Sequence, residues 1–450
     1  MSRILLKDGC VLSLDRKVGN FHRADVLIEG SRIAAIGPDL RGGDAEVIDV
    51  SDSIVMPGFV DAHRHVWEGL FRNFGDDALT GSRMGDPAAL SRIIGPGYRP
   101  MDVYIGNLVG LLGAVNAGIT TILDWSHVQA TPEHTESAIA AHTESGIRGV
   151  LAYGDPWWKE PDPEQAQWLK NIAGTHFSTR DQLLTLALAP PGPQFSSIET
   201  TRSHWELARE VGARISVHVG MGGPGVEGKL AEMASAGLMG PDTTYVNCAA
   251  LDDEEIGMIA DSGGSFALTA AAGMMMGYGM PPIQRLIDRD LRPGLGVDAE
   301  SNVPTDMFTQ MRTVISLQHA SLFDLQLAGK GGVPDLLTTR EVLAYATIEG
   351  ARANGLADVT GSLTPGKQAD LIVLRTDKPN IYPINDPIGA VVWGMDTSNV
   401  DSVFVAGRPL KREGELVGVE IGRVRDLAYT SRDHVARTVG LDLASVGAAR

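Results

Sequence analysis

Only two cysteines, Cys10 and Cys248, occur in 450 residues. That excludes a disulfide framework and a thiolate zinc motif, and it fits a reducing cytoplasm. Basic charge is also short, 38 Lys and Arg against 56 Asp and Glu, for a net charge of −18. Wholesale binding to nucleic acid or an anionic membrane is therefore not expected. No apolar run is long enough to span a bilayer: the longest, 103–118, is short and glycine-rich, and reads as a buried helix. The N-terminus, MSRILLKDGCVLSLD, alternates like a strand and lacks the apolar core and cleavage site of a signal peptide. Low-complexity tracts are missing too.

What is present is the composition of an ordinary soluble chain, 43% hydrophobic and 21% charged. Its length suits a large α/β barrel with an appended module. Residues 1–56 break into short strands separated by Gly, Asp and Asn turns, and the pattern returns at ADLIVLRTD, GAVVWGM, VDSVFVAGRPL and GELVGVEIG. The two ends are expected to form one β-sandwich, 1–56 with 358–421. The tail 422–450 reads as helical.

Between them, 57–357, apolar strands alternate with helical patterns, the signature of βα repeats. Eight candidates stand at 56–63, 119–125, 148–153, 183–189, 214–219, 244–248, 265–269 and 291–297. Eight parallel strands close a (β/α)8 TIM barrel, whose active groups sit at the C-terminal strand ends. The tips then give a parts list for one pocket: His63 and His65, Asp124 and His127, Asp155, His218, Asn247 and Asp298. In VMPGFVDAHRHVWE, strand alternation puts His63 and His65 on one face and Arg64 on the other. Three imidazoles and a carboxylate suit one divalent ion, Zn²⁺ first and Fe²⁺ second, with zinc bonds near ~2.0–2.2 Å.

PGFVDAHRH, the fifth-strand histidine, LGVDAE and ATIEGARANGLADVTGSLTPGKQADLIVL together resemble the amidohydrolase superfamily. Within it they resemble the mononuclear branch of cytosine, guanine and adenosine-type deaminases and triazine hydrolases. The resemblance covers nearly the whole chain. It implies His63, His65, His218 and Asp298 as metal ligands, and hydrolysis of a non-peptide C–N or similar bond in a small cyclic or planar molecule.

Three departures qualify it. Asn247 stands where the branch has a sixth-strand histidine, and an amide cannot shuttle protons near neutral pH. Met221 stands where deaminases carry a glutamate three residues after the fifth-strand histidine. The fourth strand, LLTLALAP, has no lysine to bridge two metals, so a single ion is expected.

The expected roles follow. Asp298 takes the proton of water, and His127, Asp124 and Asn247 orient the substrate or leaving group. His127 and Asp124 read equally well as a mutual hydrogen bond shaping a loop. Trp67, Glu68, Met221, Met275 and Tyr278 are the candidates for binding substrate; Glu68 could instead start a helix. The uncharged stretch 262–284, with its methionines, reads as an apolar wall or as core and subunit contact. The glycine run 220–228 lacks the Gly-Lys-Ser/Thr ending of a phosphate loop. Trp157 and Trp158 either cover the mouth or pack on the surface. The expected protein is a cytoplasmic homo-oligomeric enzyme for a small-molecule substrate. Two alternatives stand: a lyase, cyclase or isomerase on the same scaffold, and a binding protein without turnover.

Overall fold

The computed structural model describes residues 2–74, 89–159, 163–179, 181–222 and 228–443. Part of the glycine run 220–228 and the end of the tail, 444–450, lie outside the described residues.

Eight parallel strands form the central ring: Phe59–His65, Ile119–Ser126, Arg148–Tyr153, Leu184–Leu188, Arg214–Val219, Thr243–Asn247, Ser265–Leu268, and an eighth in two pieces, Gly294–Leu295 and Asp298–Ala299. The first piece bonds to Ser265–Leu268 and the second to Phe59–His65, which closes the barrel. The strand expected at 291–297 is thus shorter and shifted. Pro293 has no N–H for a ladder, and at Gly296 the backbone crosses so close to His63 that a Cβ would stand 2.8 Å from its carbonyl oxygen.

The first strand also differs from expectation. Met56 belongs to Ser53–Pro57, which pairs with Leu371–Arg375 in the other sheet, and the barrel strand begins only at Phe59. Gly58 makes the break. Any Cβ there would collide with the Thr120 side chain at 2.1 Å.

Both ends of the chain contribute to the second sheet, which has nine strands. Arg3–Leu12, Asn20–Glu29, Arg32–Gly37 and Ser53–Pro57 are continuous with Leu371–Arg375, Val400–Val405 and Arg408–Arg412, whereas GAVVWGM, expected as a strand, is helical up to Gly394, started by Asp386 capping the N–H of Ile388. The apolar face of the sheet buries Leu6, Val26, Ile28, Leu371 and Phe404. A buried ion pair ties the sheet to the barrel, Arg148 Nε to Asp370 Oδ2 at 2.6 Å.

The apolar run 103–118 is the buried helix Pro100–Asn116, with Pro at its first position and Arg99 and Asp102 closing its N-terminus. Ile421–Val439 packs against it and ends at Gly440 in the left-handed conformation. Among the described residues, no helix is long and apolar enough to cross a membrane.

Candidate metal centre

Alternation along Phe59–His65 turns His63 and His65 inward and Arg64 outward, as the sequence implies. A guanidinium on the outer face of a barrel strand is buried under helices, so it must be neutralised there. Arg64 is fully buried and meets Asp61 Oδ2 at 2.7 Å, Glu300 Oε1 at 3.1 Å and the Thr305 carbonyl at 3.1 Å. Arg72 holds the other oxygen of Glu300 at 2.7 Å. Asp61 also accepts from the backbone N–H of His63 and of Val297. One buried network therefore clamps the strand carrying His63 and His65 to the strand carrying Asp298.

His63, His65 and His218 each bring a ring nitrogen within 4.8 Å of the others. Asp298 Oδ1 lies 3.2 Å from His65 Nε2 and 3.4 Å from His63 Nε2. His65 Nδ1 is 3.0 Å from the Trp125 carbonyl, which can only accept. The His65 proton therefore sits on Nδ1, and the Nε2 lone pair faces Asp298. His63 Nε2, His218 Nε2 and Asp298 Oδ2 are buried with no hydrogen-bond partner. Lone pairs converging in a dry space repel unless a proton or a cation stands between them, so the residues fit one divalent ion.

Charge states agree with that reading. Burial, then the neighbouring His63 and His65, hold His218 well below the usual imidazole range, so it stays neutral, the state a metal ligand needs. Burial works against ionised Asp298, but its closeness to the His63 and His65 rings outweighs burial, and its carboxyl lies well below the ordinary value. Asp298 also takes a left-handed backbone angle, φ +73°, a costly conformation of the kind held at functional sites.

An aromatic wall stands beside the imidazoles. The His127 ring lies 4.6 Å from that of His65 and 4.6 Å from that of Trp157, with Trp67 at 5.1 Å and Trp125 at 5.2 Å. Trp158 packs against Trp67 at 5.9 Å. Trp157 and Trp158 are thus part of this wall rather than plain surface packing. Burial, then the charge of His65, holds His127 well below its usual value. Glu68, 6% exposed, makes no hydrogen bond or ion pair among the described residues. Burial pushes its carboxyl up to about 7; His65 opposes the shift and Asp298 adds to it.

The other expected site residues are placed as follows. Asp124 lies on the outer face of its strand, where Trp125 and Leu123 point into the barrel, and it faces His142 Nε2 at 3.3 Å. It belongs to the strand–helix layer and makes no bond with His127. Asn247 lies against His218, with the amide nitrogen 3.0 Å from Nδ1, while its oxygen accepts from Thr269. Both ends of its amide are engaged within the protein. Met221 is buried, its backbone clamped on both sides by the Gln194 amide at 3.3 and 2.8 Å. Tyr278 is buried, its backbone carbonyl taking the Gly222 N–H at 3.1 Å. Met275 is half exposed. Sequence reasoning missed Trp125, Thr269 and the Asp61–Arg64–Glu300–Arg72 network. Of these only Arg64 carried a signal, a charge on a strand face that must be buried.

A family model described as "Amidohydrolase family" matches residues 54–410. The chain belongs to the amidohydrolase family. A 5'-deoxyadenosine deaminase of Methanothermobacter thermautotrophicus is 30% identical over 91% of this chain and 94% of its own length. A 5-methylthioadenosine/S-adenosylhomocysteine deaminase of Pyrococcus horikoshii is 27% identical over 94% and 98%. Among solved structures, a zinc-bound adenosine deaminase from Xanthomonas campestris superposes with a TM-score of 0.83 at 23% identity, covering 97% of this chain and 99% of its own. The zinc complex of atrazine chlorohydrolase TrzN from Arthrobacter aurescens superposes at 0.82 with 22% identity, covering 95% and 100%. This amidohydrolase is a metal-dependent hydrolase of non-peptide C–N bonds in small molecules, with a single divalent-metal site.

Proposed function

We propose that this amidohydrolase hydrolytically removes an amino group from a ring carbon of a planar nitrogen heterocycle, with adenosine-type nucleosides the first class to test. The observation that carries the reading is the set of unpartnered ligand atoms on His63, His218 and Asp298 beside a wall of flat rings, Trp67, Trp157 and His127. The relatives named 5'-deoxyadenosine deaminase support the choice of class.

His63, His65, His218 and Asp298 would hold the ion, Zn²⁺ first and Fe²⁺ second. A bound divalent ion supplies Lewis acidity and brings the pKa of water from 15.7 towards ~7. The chain's own groups then move protons. Asp298 Oδ2, buried and unpaired, takes the proton of the attacking water. Glu68, a carboxyl poised near neutrality, carries a proton to the departing amine, the task left vacant by Met221. His127 offers a buried Nε2–H to the substrate ring, and Trp157 stacks along it. Asn247 serves from behind, its amide engaged by His218 and Thr269, and Asp124 from the outer face of its strand, where its Oδ2 meets His142. Met221 and Tyr278 would line the pocket, with Met275 at its lip.

We further propose a cytoplasmic homo-oligomer that binds no nucleic acid, built of the unit 1–56 with 358–421, the catalytic barrel 57–357 and the tail 422–450. The acidic balance supports the absence of nucleic acid, and the two free cysteines support the compartment.

The decisive test is turnover in ¹⁸O-labelled water of a panel of adenosine-type nucleosides, aminopyrimidines and amino-triazines. Ammonia released with one labelled oxygen in the ring product is the expected result. Met221 and Asn247, standing where the resemblance would place a glutamate and a histidine, favour a second reading, lyase or isomerase chemistry, and product formed without label would overturn hydrolysis in its favour.

A further inference from the structure

We infer that Asn247 is a positioning residue: by turning its amide it sets which ring nitrogen of His218 carries the proton, and so governs how tightly the metal is held. The inference rests on His218 being a ligand, as proposed above.

The amide nitrogen of Asn247 is 3.0 Å from His218 Nδ1, and its oxygen accepts from Thr269 Oγ1. The residue is 4% exposed and sits at φ +72°, a left-handed conformation that asparagine enters more readily than most residues. With nitrogen towards the ring, the amide donates into Nδ1. The proton of the neutral imidazole must then be on Nε2, the atom that is buried without a partner and faces the other histidines. In that arrangement His218 cannot ligate through Nε2.

A half-turn of the amide reverses every polarity at no cost in contacts. His218 Nδ1–H now donates to Oδ1, the Nε2 lone pair is free for a cation, and the amide N–H donates to Thr269 Oγ1. A hydroxyl accepts as readily as it donates, so Thr269 serves both arrangements. Asn247 and Thr269 together satisfy His218 with and without metal. A carboxylate at 247 could serve only the ligating tautomer, and an aliphatic side chain neither.

Oriented partners of metal-bound histidines are worth roughly 10–100-fold in metal affinity. Zinc affinity is to be measured on the full-length, metal-stripped protein by competition with a chromophoric chelator, with thermal melts recorded for every variant. Asn247→Leu should weaken zinc roughly 10–100-fold. Asn247→Asp should bind at least as tightly as the native protein, because a carboxylate fixes the proton on Nδ1. Thr269→Val should fall between the native protein and Asn247→Leu. Native-like affinity in Asn247→Leu overturns the inference, and so does weakening by Asn247→Asp. If the leucine variant does not fold, Asn247→Asp and Thr269→Val still decide. The readout needs no turnover, so a failed substrate panel leaves the inference standing, and tight zinc binding without this ranking sinks it alone.

Discussion

The indole Nε1 of Trp67 lies 3.4 Å from Nδ1 of His127, and an indole nitrogen can only donate. His65 Nδ1, which carries the His65 proton, stands 3.1 Å from the same atom, and two N–H groups cannot face each other across that gap, so His127 Nδ1 is an acceptor even with the Trp125 carbonyl at 3.4 Å; its proton resides on Nε2, a buried atom with no partner among the described residues. A donor held dry and unpaired is suited to a substrate acceptor that arrives later. His127→Phe keeps the flat ring against Trp157 and deletes the donor. Steady-state kinetics should show kcat/KM reduced by roughly 10²–10⁴-fold, the usual worth of a positioned proton donor, with zinc content unchanged. Native kinetics in this variant would remove His127 from the mechanism.

Metal removal should separate structure from chemistry. The barrel is closed by Asp298–Ala299 pairing with Phe59–His65 and by the Arg64 network, neither of which needs an ion. Stripping with a chelator should abolish turnover while leaving the far-ultraviolet circular dichroism intact, and Zn²⁺ or Fe²⁺ should restore activity. His218→Ala should lower the stoichiometry measured by elemental analysis from about one ion per chain to well below one. Retention of a full ion would place the ligand set elsewhere.

The barrel and the inward pair His63 and His65 were legible in the sequence because strand alternation and tip position are local rules. His218 and Asp298 were legible because a barrel brings all its strand ends to one mouth. Asp124 was misjudged for the same reason that His63 was not. Tip position says nothing about face, and Trp125, the neighbour that points inward, forces Asp124 out to His142. Asn247 and Glu68 depend on which side chains remain unsatisfied after packing. That is set by Thr269, Trp125 and Gln194, residues whose contacts no spacing rule discloses.

Arg64 should be a stability residue of the first rank. Its guanidinium is the shared partner of Asp61 and Glu300, both fully buried. Arg64→Met fits the space but leaves Asp61 without its cation, and breaking a buried pair from one side costs about 3–5 kcal/mol. Chemical denaturation should show a loss of that size, with zinc affinity reduced as the His63 strand loosens from Asp298. A loss below about 1 kcal/mol, the range of an exposed pair, would mean that Arg64 is not what holds the two strands together.

Glu68 gives a prediction that links activity to stability. Its carboxyl ionises near 4.5 in the unfolded chain and at about 7 in the metal-free fold, so the folded state holds the extra proton between those values. Stability from this group is complete below pH 4.5 and is lost as pH rises through 7, by about 3 kcal/mol in all at 1.36 kcal/mol per pH unit. Glu68→Gln cannot ionise and should escape that loss. The metal-free variant should therefore be more stable than the native protein at pH 8, and the difference should vanish towards pH 5. In the zinc-loaded enzyme the same substitution should cut kcat by roughly 10²–10⁴-fold, because the proton carrier is gone. A variant that gains stability at pH 8 yet keeps its kcat would make Glu68 a buried bystander. One that loses kcat without the pH-dependent gain would act through something other than its proton.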